Sequence, residues 1–274
     1  MPWRKAHTAR NPGMQPLDPA DWLQRDETFA DQMALRDRLI AGRRELVTAR
    51  RDGSEAAIRE MAAQVATSLA TDPGYTASHD GIRRPDGVVV DEPDPLIRSG
   101  RLVQEDLLLL VPRDGRWVLE AGVLCFPSHW TLGQKIGRDL GRIHVPVPFY
   151  SGELERRVQR LFDALRPGRP LWRANWLLYP DADLHNPLLE FEEKRADWSG
   201  GLYLRVERQS LLKLPETGGV VFSIKTDIAP VGAVPREALV DLLTAFDALG
   251  PVERGYKGGD DARARIVAAI DRAA

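Results

Sequence analysis

The sequence predicts an α+β protein, a single domain with helices packed around an antiparallel sheet. Three observations lead there. Helical patterns come first, strand patterns with two helices among them follow, and helices return at the end. Strands and helices therefore do not alternate as a doubly wound parallel sheet requires, and order alone favours an antiparallel sheet with helices on one face. Two apolar runs flank a turn at 112–116 containing Asp114-Gly115, which reads as a hairpin. Finally, 274 residues, 43% of them hydrophobic, are enough to bury a substantial core.

Taken in order, residues 1–16 are basic and proline-containing and are expected to form a flexible arm. The main domain would span 17–250, with 251–274 as a C-terminal helical extension. Between 18 and 47 a polar pattern carries scattered Trp22, Leu23, Phe29, Met33, Leu35, Leu39 and Ile40, as helix or coil covering a core does. Ser54 opens a clearer helix. Ile58, Met61, Ala62, Val65 and Leu69 share one face, and Pro73-Gly74 ends it. Residues 72–100, rich in Gly, Pro and Asp, read as an extended connection with one apolar run, Val88-Val89-Val90.

After the hairpin, Thr131 and Gln134 match a capping box. They would start a helix with Leu132, Ile136, Leu140 and Ile143 on its apolar face and Gly133, Gly137 and Gly141 on an adjoining stripe. Each glycine inside a helix costs about 1 kcal/mol relative to alanine, so the stripe implies a close approach by a flat ring, a strand or another helix. Pro146 and Pro148 stop that helix, and Ser151 caps the next, which ends at Pro167-Gly168. Strands are expected at 170–179, 202–206 and 220–224, and final helices at 236–249 and 261–272.

Composition narrows the function. A net charge of −2 exerts no general pull on nucleic acid or an anionic membrane, so neither is expected as a partner. Cys125 is the only cysteine, which excludes an intrachain disulfide and any four-cysteine zinc or iron–sulfur site. No apolar run reaches the roughly 18 residues of a membrane helix, and the start lacks a secretory apolar stretch. A cytoplasmic location is expected. Dinucleotide, P-loop, zincin and nucleophile-elbow motifs are all missing, so a redox role would need electrons from a partner.

Several residues can carry chemistry, each with a plainer alternative. His144, at a helix end before Pro-Val-Pro, suits a metal or haem iron, but its spacing alone favours the plainer reading, a bond to a carbonyl at that end. Cys125 in "VLCF" is a possible thiolate ligand or an inert core residue. In "RVERQ", Arg205 and Glu207 share a strand face and Arg208 lies beside them. These charges either pair structurally, with Arg173 as a further partner for Glu207, or bind a carboxylate-bearing cofactor and a cationic substrate. Trp130, Trp172 and Trp176 read as core or pocket wall, and His129 and His185 as exposed.

The series "VQEDLLLL", "CFPSHW", "KIGRDLGRIHVPVP", "WRANWLLY", "YLRVERQSLLKLP" and "VVFSIKT" resembles the haem-dependent oxidative N-demethylase alpha-subunit-like family, from about residue 17 to 249. The resemblance implies a PAS-like core holding haem b. It implies oxidative removal of a methyl group from a small secondary amine, with dioxygen and electrons from a separate reductase or ferredoxin-type donor. By position, I-H-x-P-V-P falls on 143–148 and makes His144 the expected iron ligand. R-x-N-W falls on Arg173, Asn175 and Trp176, and R-V-E-R-Q on 205–209. The resemblance implies that these positions line or brace the haem pocket; from the residues themselves, some of Arg173, Arg205 and Arg208 are expected to meet the haem propionates, Trp176 to line the pocket, and Glu207 to hold the amine. The chain departs from the family's pattern at His129, where another polar residue is usual, and in the apolar-poor stretch 75–87. Two other readings remain: a PAS-like haem or small-ligand sensor without turnover, and a scaffold that has lost the cofactor.

Overall fold

The apolar run that opens at Asp106 supplies an interior strand of the sheet, because it is buried on both faces. The computed structural model describes residues 2–4, 13–145, 152–192 and 198–273. Along the chain come β1 (Gln15–Pro16), α1 (Phe29–Gly42), α2 (Arg44–Val47), β2 (Thr48–Arg50) and α3 (Glu55–Leu69). Next are β3 (Thr76–Ser78), β4 (Gly81–Arg83), β5 (Val89–Val90), α4 (Pro95–Leu102), β6 (Asp106–Arg113) and β7 (Arg116–Val123). Then follow α5 (Leu132–Lys135), α6 (Leu140–Ile143), α7 (Glu153–Ala164), β8 (Leu171–Tyr179), β9 (Tyr203–Lys213) and β10 (Val220–Pro230). The order closes with α8 (Arg236–Asp247), α9 (Pro251–Tyr256) and α10 (Gly259–Arg272).

Seven strands form one sheet in the order β1-β8-β9-β10-β6-β7-β2, and every neighbouring pair is antiparallel. The expected α+β class therefore holds, with one correction: helices cover both faces. On one face α1, α3 and α4 bury Ile58, Met61, Leu96 and Ile97 against Leu107, Leu109 and Val123. On the other, α5, α6 and α7 bring Leu132, Leu140 and Phe162 over Leu108, Leu110 and Leu119. The alternation of Leu107 to Leu110 thus feeds two cores, as period-2 geometry dictates. A third cluster joins α8 and α10 to Trp176 and Leu204 at the β8–β9 side.

The β6–β7 turn is the hairpin the sequence signals: Asp114 and Gly115 both have positive φ, 48° and 74°. At the head of β6, Asp106 is wholly buried. It receives Arg36 Nη1 at 2.7 Å and the backbone N–H groups of Cys125 and Phe126 at 2.7 and 3.0 Å. That clamp ties α1 to the exit of β7 and fixes where the following segment, Ser128-His129-Trp130, begins.

Four expectations change. The connection at 72–100 contains a small sheet, β3-β4-β5, and the helix α4. Asp94 caps α4 by accepting from Leu96 N and Ile97 N, with Pro95 in the first turn. Gly100 in α4 rests on β7: a Cβ there would stand 2.6 Å from Val123 Cγ1. Strands β9 and β10 run well past their expected ends, paired from Tyr203 opposite Pro230 to Lys213 opposite Val220.

The expected single helix with its glycine stripe is two short helices. Gly137 takes φ +76°, its N–H donates to Leu119 O at 2.7 Å, and Leu119 N donates to Arg138 O at 3.0 Å. The helix breaks there because the chain pairs briefly with β7 instead. Thr131 Oγ1 meets Gln134 Oε1 at 2.9 Å but caps no backbone N–H. The proline stop at Pro146 and Pro148 and the cap at Ser151 lie outside the described residues.

Candidate functional site

Between the β6–β10 face and helices α6 to α9 lies a cavity of about 1290 Å³. Pockets that bury a drug-sized ligand occupy roughly 300–1,000 Å³, so this one has room for a larger group. Its floor is apolar, from Leu108, Leu110, Leu119, Leu211 and Ile224. Of the six residues expected to hold haem or the amine, four line it, His144, Arg173, Trp176 and Glu207, while Arg205 and Arg208 do not.

His144 ends α6, and its Nδ1 lies 2.8 Å from Leu140 O. A carbonyl only accepts, so Nδ1 carries the hydrogen, and the neutral ring then keeps its lone pair on Nε2. Burial pushes the pKa down to about 4, helped by the positive charges of Lys135 and Arg173 and opposed by the Leu140 bond. The ring is therefore neutral at pH 7. The carbonyl bond of the plainer reading is present, and it is also the bond that orients a metal-ligating imidazole. The two readings are compatible.

Glu207 is buried and held at both oxygens. Oε1 accepts from Arg205 Nε at 3.3 Å and Oε2 from Gln209 Nε2 at 3.0 Å. Arg205, wholly buried, also donates from Nη2 to Phe126 O at 2.5 Å and from Nη1 to Leu184 O at 3.1 Å, with its guanidinium 5.7 Å from the Tyr179 ring centroid. Its donors thus fix Glu207 and two loop carbonyls. Arg208, one residue on, points to the other face. It donates to Trp22 O and Asp21 O at 2.9 and 2.6 Å and lies over Trp172. The structure does not bring Arg208 to the cavity, and it places Arg205 behind Glu207.

Other residues join the site without any sequence signal. Lys257, just after α9, donates from Nζ to Trp176 O at 2.5 Å and sits 4.2 Å from that indole's centroid. Burial pulls its pKa down to about 8, and Glu253, Arg173 and Glu207 lie close enough to act on it. On Arg173, burial lowers the pKa while Glu207 and Glu253 oppose the change. Lys135 in α5 also lines the cavity, paired with Glu190, which in turn binds Arg138 at 2.9 Å. The glycines around Lys257 in "GYKGG" mark a local turn but say nothing of its reach to Trp176.

The remaining candidates sort clearly. Cys125 is fully buried and its pKa is pushed up to about 12, so it remains a thiol. His185 is half-buried, with Nδ1 on Cys125 O at 2.8 Å. His129, expected to be exposed, is half-buried in the wall between this cavity and a smaller one of about 560 Å³. Its φ is +58° and its ring stacks on Tyr179 at 4.7 Å. The segment 128–130 turns inward because Ser128 pairs with Asn186 and bonds Tyr179 at 2.7 Å. Trp130 lines the cavity as expected.

Among the described residues, no cluster of three or more His, Cys, Asp or Glu is placed to hold a metal, and no helix is long and apolar enough to cross a membrane. A match to the family described as haem-dependent oxidative N-demethylase, alpha subunit-like, spans residues 13–267. The chain belongs to this family. The description of the haem-dependent oxidative N-demethylase alpha-subunit-like proteins names haem dependence and an oxidative demethylation, and an alpha subunit implies partner subunits. The cavity suits haem on its own chemistry. It offers a wide apolar floor, one neutral imidazole oriented by a carbonyl, and the cations Arg173 and Lys257 for carboxylates.

Proposed function

We propose that this protein binds haem b in the large cavity and oxidatively demethylates a small secondary amine, using dioxygen and electrons from partner subunits. The observation that carries this reading is His144: a neutral imidazole in an apolar cavity wall, its Nδ1–H held by Leu140 O. Nε2 of His144 would ligate the iron. Arg173 and Lys257 would meet the propionates, and Trp176, with Lys257 against its ring, would flank the macrocycle. A PAS-like core is supported by the five long strands β6 to β10, with α5, α6 and α7 inserted between β7 and β8.

Haem bound there would supply dioxygen activation, and the N-methyl carbon would be oxidised to a carbinolamine that releases formaldehyde and the shorter amine. One amine, one dioxygen, two electrons and two protons thus yield the shorter amine, formaldehyde and one water. Glu207 holds the cationic amine, since a buried carboxylate favours a charged partner. Arg205 and Gln209 fix that carboxylate before substrate arrives. Leu108, Leu110, Leu119 and Leu211 keep bulk water from the reacting carbon.

The test is an absorption spectrum of the protein supplied with haemin, before and after dithionite and carbon monoxide, beside His144→Ala. A sharp Soret band that moves with carbon monoxide and collapses in the variant is expected. No specific band in the wild type overturns the reading. Glu207→Gln should keep the band and lose roughly tenfold or more in kcat/KM for the amine, and full activity there would remove the role given to Glu207.

A further inference from the structure

Many arginines are engaged within the molecule, as Arg36 is on Asp106, Arg84 on Asp86, Arg138 on Glu190 and Arg263 on Asp247. Exposed arginines with no ion pair among the described residues occur elsewhere too, Arg38, Arg43 and Arg59 among them, but one side gathers six. Arg142 on α6, Arg156, Arg157 and Arg160 on α7, and Arg166 and Arg169 in the turn before β8 are all exposed. Among the described residues none of these six forms an ion pair. The nearby acids are few and partly engaged. Glu153 and Glu155 occupy the first turn of α7, where the helix dipole favours them, and Asp163 accepts from Trp117 Nε1 at 2.7 Å. In a chain of net charge −2 this is a local concentration of positive charge.

Its position gives it meaning. Arg156, Arg157 and Arg160 stand at i, i+1 and i+4 on the outer side of α7, while Leu154, Val158, Leu161 and Phe162 on the inner side line the large cavity. A helix is about 10–12 Å across with its side chains. The basic face is therefore one helix thickness from the proposed haem. The apolar face of α7 is turned inward, so nothing remains to insert into a membrane.

We propose that this arginine face docks an acidic, ferredoxin-type electron carrier. The inference rests on the haem reading, whose balance requires two electrons from outside. Each encounter oxidises the reduced carrier by one electron and reduces the bound haem by one, so two encounters serve a turnover. Unpaired guanidinium groups suit a carboxylate-rich partner. Complementary charge speeds the encounter, and small, polar interfaces are typical of electron-transfer pairs.

The experiment uses the full chain supplied with haemin and a plant-type [2Fe–2S] ferredoxin as probe. Ferredoxin association and the stopped-flow rate of haem reduction under carbon monoxide are compared for the wild type, for Arg156→Glu/Arg157→Glu/Arg160→Glu, and for the control Arg38→Glu/Arg43→Glu/Arg59→Glu. The control makes the same charge change at exposed positions of α1, α3 and the residue after α1, on the opposite face. The α7 variant should lose about tenfold or more in both measures at low salt, with the gap closing near roughly 0.3 M salt. Its Soret band and dithionite reduction should be unchanged. Equal behaviour of wild type and α7 variant, an equal loss in the control, or tighter wild-type binding to a random DNA duplex than to ferredoxin would each overturn the proposal. A chain that takes up no haemin fails the haem reading, while ferredoxin association still tests the docking face independently.

Discussion

At the scale of residues, two buried groups give opposite pH signatures. The folded-state pKa of His144 lies near 4, below its ordinary 6.5, because burial disfavours the imidazolium. Between those values the unfolded chain binds more protons, so the stability this ring contributes is complete above pH 6.5 and lost as pH falls through about 4. Glu105, buried at the head of β6 with Oε1 accepting from Gln24 N at 2.8 Å, is pushed up to about 7 from 4.5. Its contribution is complete below pH 4.5 and lost as pH rises through about 7. Glu105→Gln should therefore gain on the wild type by of order 1–3 kcal/mol between pH 5 and pH 8. His144→Gln should flatten the acid limb alone. Urea unfolding across that range checks both, and parallel pH profiles for all three proteins would refute the assignment. "RVERQ" drew attention to the right residues, and strand alternation separates Glu207 from Arg208. Which face meets the cavity was not legible, because it depends on what packs over the sheet. Lys257 was invisible for the same reason: it reaches Trp176 from 81 positions away.

At the scale of elements, local chemistry was readable wherever a single signal dominated, as in α3 and the Asp114-Gly115 hairpin. It misled where tertiary pairing overrode a helical pattern. Leu132, Ile136, Leu140 and Ile143 have helical spacing, yet Gly137 breaks the run to pair with Leu119. That break sets the direction in which α6 leaves and therefore where His144 stands. Gly137→Ala places a Cβ at φ +76°, 3.1 Å from Arg51 Cδ. A cost of about 1–3 kcal/mol follows from the backbone conformation alone. We expect a lower urea midpoint and weaker haemin uptake together, since the strain falls on the link between β7 and α6. Gly133→Ala is the control, having open space around its Cβ, and should gain slightly from helix propensity. If Gly137→Ala matched that control, the break would be of no consequence for the site.

At the scale of the whole molecule, the order of strands and helices was enough for the class, and the motifs for the family, but the cavity was not foreseeable as a shape. It arises where three cores meet, with α8 and α9 closing the β8 edge. The sequence sets residues 251–274 apart as an extension. Their packing argues that they fold with the rest: Ala262, Ile266, Ala269 and Ile270 of α10 are buried with Leu239, Leu242, Phe246 and Trp176. Each large apolar side chain buried there contributes about 1.5–3 kcal/mol, against a total stability of about 5–15 kcal/mol for a typical domain. Removing 251–274 should therefore cost most of the cooperative transition, and with Lys257 gone, haemin uptake as well. Because such a truncation risks aggregation, Ile266→Ala in the full chain provides the graded test and should lower stability by roughly 2–5 kcal/mol. A truncated chain with an unchanged urea midpoint, together with an Ile266→Ala variant as stable as the wild type, would restore a boundary near residue 250.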